Sequence, residues 1–148
     1  MALPTLRMIG FIIGLFLLTI AASMLIPMLT LYLFNRIDDE SAFIWSAIIT
    51  ATAGLALIIP GRPKNVQLRP RDMYMLTTAS WVLVCAFAAL PMVLIQEISY
   101  TDAFFETMSG ITTTGSTILV GLDHASPGLL IWRSMLNWRG GIGFIGMA

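Results

Sequence analysis

The sequence predicts an all-α integral membrane fold: a helical hairpin, then a span, a re-entrant helix with its loop, and a last span. Three observations carry this. Of 148 residues, 57% are hydrophobic and only 11% charged, too few polar groups to cover a water-soluble surface. Three stretches, Met8–Phe34, Ser41–Gly61 and Met73–Ile95, carry no charge, and each reaches the roughly 20 residues needed to cross a hydrocarbon core of about 30 Å. A polar, half-length segment rich in threonine and glycine follows the third of them.

The first span is Met8–Phe34. A cleaved signal peptide is the competing reading, because Arg7 precedes the run and Ala21-Ala22-Ser23 resembles a cleavage site. The apolar run continues well past Ser23, as an anchor does. The second span, Ser41–Gly61, follows a short acid-rich connection, Asn35–Glu40, so the two form a hairpin. The connection Gly61–Asp72 then places Arg62, Lys64, Arg69 and Arg71 in a loop broken by two prolines. Such a loop belongs in the cytoplasm by the positive-inside rule. The N-terminus, with Arg7, is then cytoplasmic too, the acidic connection lies outside, and Met73–Ile95 crosses outward. Residues 1–72 form one unit, hairpin plus basic loop, and 73–148 a second.

The next segment cannot span. Glu97, Asp102 and Glu106 interrupt it, and a helix from Thr101, where hydroxyl and carboxylate suit a helix start, to Ser109, with Gly110 as stop, would be about 13 Å long. The run Pro127–Ala148 is apolar again, though Arg133 and Arg139 break it and it barely suffices to cross; the chain reads as a fragment. Eight basic and eight acidic residues give zero net charge, which gives no ground for a nucleic-acid partner. The single cysteine, Cys85, sits in an apolar run and reads as a small core residue.

The informative stretch is Ser109-Gly110-Ile111-Thr112-Thr113-Thr114-Gly115-Ser116-Thr117. By itself a threonine-rich loop is an ordinary polar connection. Its place between spans, behind a half-length helix, changes that, because irregular backbone at membrane depth survives only where it is buried in protein or lines a watery path. Such a loop can aim carbonyl oxygens at a dehydrated cation. Gly115 would allow a positive φ, and the negative end of the short helix near Ser109 and Gly110 faces the same place.

Asp102-Ala103-Phe104-Phe105-Glu106, the loop Ser109–Thr117, Val120-Gly121-Leu122-Asp123, Trp132-Arg133 and Gly140-Gly141-Ile142-Gly143 together resemble the first pore repeat of the Trk/Ktr/HKT superfamily, the Trk branch in particular. The resemblance implies a hairpin ahead of four linked repeats around one potassium pathway. It implies further that Thr112, Thr113, Thr114 and Gly115 supply one quarter of the selectivity filter, with the carbonyls of Thr113 and Thr114 as the main K+ ligands. It also implies potassium as the transported ion with no organic cofactor, a bacterial inner-membrane location, a homodimer, and a cytoplasmic nucleotide-binding regulatory subunit. The chain departs from the family in holding one repeat, so missing repeats or other copies must complete a pore. Arg139 stands where an apolar residue is expected. Two rival readings are a non-conducting truncated fragment and a subunit of a homotetrameric channel.

Other residues have plainer readings. Asp102 and Glu106 share a helix face, but without a nucleophile and base cluster they read as capping and interface groups, and no enzyme activity is expected. Arg133 either braces the loop from behind or pairs with an acid of the outer loops. His124 reads as solvated, Gly10 and Gly14 as a helix-packing pair, and Gly140, Gly141 and Gly143 as close-packing positions.

Overall fold

The computed structural model of the chain describes residues 3–35, 39–60 and 69–147, with side chains for residues 4–142 among them. Half of the acidic connection, most of the basic loop and the side-chain environment of Gly143 lie outside that set. The described residues form seven helices, one 3-10 turn and no strand: α1 (Leu3–Ser23), α2 (Leu25–Leu33), α3 (Glu40–Ile58), α4 (Pro70–Ala88), α5 (Leu90–Gln96), α6 (Tyr100–Ile111), the turn Leu122–His124 and α7 (Pro127–Met147). Three stretches, Pro4–Leu33, Glu40–Ile58 and Pro70–Gln96, are long and apolar enough to cross a membrane. This is a multi-pass membrane architecture. With 21 residues α7 is about 31 Å long; its two arginines make it more polar than those three.

The first and third spans, expected as single helices, are each broken once, and proline is the reason. Pro27 has no N–H for the carbonyl of Ser23, and Pro91 none for that of Phe87. The helix yields at Met24 and at Ala89, between α1 and α2 and between α4 and α5. At the second break Met92 N–H turns to the Ala89 carbonyl (3.0 Å), releasing that of Ala88. Lipid offers no hydrogen bond to such a group. The Trp132 indole of α7 donates to the Ala88 carbonyl (3.0 Å) and the Tyr100 hydroxyl to that of Ala86 (2.9 Å), so the break is where α4 and α5 meet α6 and α7.

Between lipid-embedded helices apolar burial gives no driving force, and close packing must do the work. α1 and α3 run antiparallel and nearly touch at two glycines. A Cβ on Gly14 would lie 2.7 Å from the Gly54 carbonyl oxygen, and one on Gly54 3.0 Å from that of Gly14. Gly10, its expected packing partner in sequence, makes only an ordinary contact with Leu57. At the far end of the pair the Arg7 guanidinium donates to the Pro60 carbonyl. One apolar cluster, around Ile9, Ile13 and Leu17, joins α1 to α3 and α4. A larger one, around Met24, Leu31, Phe43, Met92, Trp132 and Leu136, surrounds α6; there Phe43 meets Trp132 edge-on, centroids 6.2 Å apart. Cys85 is buried within it, its Sγ 3.6 Å from the Met108 sulfur, as a small core residue would be.

Candidate functional site

α6 is longer than the sequence suggested. Its N-cap is Ser99, whose hydroxyl accepts from the Asp102 N–H (3.1 Å), so Thr101 and Asp102 lie inside the first turn rather than at the start. Asp102 remains exposed there, with its charge at the positive end of the helix. Nor does Gly110 stop the helix. It is helical, and a Cβ there would sit 3.3 Å from the Leu136 Cβ of α7; the glycine serves packing. Even so, 12 residues give about 18 Å, too little to cross.

The helix closes with two crossed hydrogen bonds, Thr114 N–H to the Ser109 carbonyl (3.0 Å) and Thr113 N–H to the Gly110 carbonyl (3.0 Å). This is the Schellman pattern, which demands a left-handed residue just past the cap. That residue is Thr113, at φ 57°, a strained position for a β-branched side chain, at a cost of about 1–2 kcal/mol. Its hydroxyl donates to the Thr112 carbonyl (2.7 Å). The Thr112 and Thr114 hydroxyls lie 2.9 Å apart and bond to each other. Gly115 follows at φ 76°, the positive value expected of it, with open space where a Cβ would be. Among the described residues no hydrogen bond goes to the carbonyls of Thr113, Thr114 or Gly115, whereas that of Thr112 takes the Thr113 hydroxyl and that of Ser116 the Ser109 hydroxyl (2.7 Å).

Behind the loop stands a carboxylate that the sequence reading placed as an interface group. The Glu106 side chain is 0% exposed, and its Oε1 accepts from Arg133 Nη2 (3.3 Å) and from the Thr117 hydroxyl. Arg133 thus pairs with an acid, but with one of α6 rather than one of the outer loops. The Thr117 hydroxyl also accepts from Leu119 N–H (3.1 Å). One acid thus ties α6, the outgoing half of the loop and α7 together. α7 comes closest at Gly140, where a Cβ would lie 1.8 Å from the Ile111 carbonyl oxygen; no residue but glycine fits. His124 is exposed. Arg139 turns toward α1, donating to the Thr19 carbonyl (3.3 Å), with its Nε buried and unpartnered among the described residues. It borders an apolar cavity of about 260 Å³ lined also by Phe16, Trp81 and Ile111.

Among the described residues no group of three His, Cys, Asp or Glu side chains could hold a metal ion. The loop instead offers neutral oxygen atoms, suited to a hard cation, at the negative end of α6. Thr112, Thr113, Thr114 and Gly115 are consecutive, but their carbonyls differ in engagement. The sequence did not mark Ser99, Ser109, Thr117 or the Glu106–Arg133 pair as parts of one support; an acid facing an arginine across 27 residues is visible only once the helices are assembled.

The family model TrkH, a cation transport protein, matches residues 39–148. The Trk system potassium uptake protein TrkI of Halomonas elongata is 45% identical over 131 residues, 88% of this chain and 26% of its own length. TrkH of Escherichia coli K12 is 35% identical over 144 residues, 96% of this chain and 30% of its own. The crystal structure of the potassium transporter TrkH from Vibrio parahaemolyticus superposes with a TM-score of 0.86 at 32% identity, covering 97% of this chain and 30% of that one. The chain therefore spans less than a third of the length of these relatives, and it belongs to the TrkH family of cation transport proteins.

Proposed function

We propose that this chain contributes one quarter of the selectivity filter of a potassium uptake pathway, with residues 1–72 as the hairpin that docks it and 73–148 as the first pore repeat. The observation that carries the reading is the row of unengaged carbonyls at Thr113, Thr114 and Gly115, held at the negative end of a helix too short to cross. Such carbonyls replace the hydration shell of a dehydrated ion, and the helix end adds roughly half a negative charge. Potassium is the cargo and no organic cofactor is needed; the relatives are named potassium uptake proteins and a potassium transporter. By the charge pattern the N-terminus faces the cytoplasm of a bacterial cell. Further repeats complete the ring, and by family resemblance a second copy and a cytoplasmic nucleotide-binding subunit complete the assembly.

The test is rubidium uptake by a chimera in which this chain replaces the matching segment of the Vibrio parahaemolyticus transporter. Uptake in the chimera and its loss in Gly115→Asp, with both proteins inserted to equal levels, are expected. An inserted chimera that takes up nothing, or a variant that transports as well as its parent, would overturn the reading. The chain alone in proteoliposomes should be silent; uptake there would point to a self-assembled channel instead.

A further inference from the structure

Glu106 is used at only one of its two oxygens. Oε1 receives Arg133 and Thr117, while Oε2 is buried and has no partner among the described protein groups. A buried acceptor left without a donor costs about 1–3 kcal/mol, more when charged. Such a group marks something that supplies the missing hydrogen bond. Beside it is a second, small cavity of about 10 Å³ lined by Glu106, Ser109, Ser116, Arg133 and Asn137, with Gly115 at its rim. A buried water needs roughly 10–15 Å³ of such space and two to four polar partners. The volume admits one water and no larger ligand. A cation is disfavoured, because Arg133 already neutralises the carboxylate and would repel a second positive charge.

We infer that this cavity binds one ordered water, which donates to Glu106 Oε2 and couples the carboxylate to the rear of the loop. The loop has a group to offer in return: the Ser116 N–H donates to no group among the described residues. Asn137 also lines the cavity, its amide nitrogen donating to the Arg133 carbonyl (3.2 Å), which leaves its amide oxygen to orient the water. The ion pair then fixes the carboxylate from one side and the water spreads that constraint to Ser116, one residue past Gly115. The site rests on this geometry alone. Its consequence for ion selection rests on the proposed filter.

The test needs no transport. The 148-residue chain, isotope-labelled in lipid bilayers, is studied by solid-state NMR for magnetisation transfer from water to the Glu106 carboxyl carbon. That carbon belongs to a side chain with no exposure of its own. A transfer peak is expected at Glu106, together with a carboxylate chemical shift. The peak should fall by at least about half in Asn137→Leu, which keeps the side-chain size and favours helix. Absence of the peak in the unmodified chain would overturn the proposal, as would a protonated-carboxyl shift, which would mean that Oε2 carries its own hydrogen. A peak unchanged in Asn137→Leu, with the shifts of the rest of α7 preserved, would place the water outside this cavity and equally overturn it. Should that variant fail to fold, absence of the peak or a protonated-carboxyl shift in the unmodified chain still overturns the proposal, and a milder Asn137→Ser takes the variant's place.

Discussion

Arg133 and Glu106 show how much a single side chain can hold in this segment. A pair this buried adds little by itself, but losing one member strands the other, at about 3–5 kcal/mol. Arg133→Leu should therefore lower the unfolding free energy of the inserted chimera by that amount in a detergent unfolding titration. Arg133→Lys should lose less, because it keeps the charge while giving up the planar fork. A loss under 1 kcal/mol in the leucine variant would show that water reaches Glu106 freely. Gly115 was legible in the sequence because a positive φ has a residue of choice. Thr113 was not: a β-branched residue is a poor candidate for the left-handed region, and its place there follows only when the true end of α6 is known, one residue beyond the glycine that looked like a stop.

At the scale of elements, the contact between α6 and α7 depends on removing side chains as much as on adding them. Gly140→Ala would put a methyl carbon into the Ile111 carbonyl, and neither partner is a flexible tip that can move aside. The helices must separate, which shifts the end of α6 and the loop it carries. The expected outcome is normal insertion with at least a tenfold loss of rubidium uptake in the chimera, whereas Gly141→Ala, with open space around it, should transport normally. The helices themselves were legible from uncharged runs, whose length bilayer thickness dictates. Their breaks were not placed, although Pro27 and Pro91 stood in plain view, because a proline tells which carbonyl it abandons but not whether a neighbour will accept the charge of satisfying it.

For the molecule as a whole, the segment presents two kinds of apolar surface. Leu15, Leu25, Leu29, Ile48 and Val82 are exposed along the membrane-length helices. Ile118 and Val120, the latter 97% exposed, lie instead in the loop, which the proposed further repeats would cover. Amide hydrogen exchange over residues 112–121 should accordingly be fast in the isolated chain and slowed by at least about tenfold in the chimera, while α6 is protected in both. Equal rates would mean that the loop is not covered on assembly. The membrane class and the loop could be read from one chain, since both are local patterns. The proposed ring could not, since it needs more than the one such loop this sequence holds.

The break in the third span also bears on the order of synthesis. Its open carbonyls at Ala86 and Ala88 are met by Tyr100 and Trp132, which come 14 and 44 residues later in the chain. When α4 and α5 first reach the bilayer those partners have not yet been made, and hydrocarbon cannot stand in for them. Until α6 and α7 exist, the third span by itself carries backbone carbonyls that hydrocarbon cannot satisfy, so its stability in lipid depends on segments that follow it in the chain.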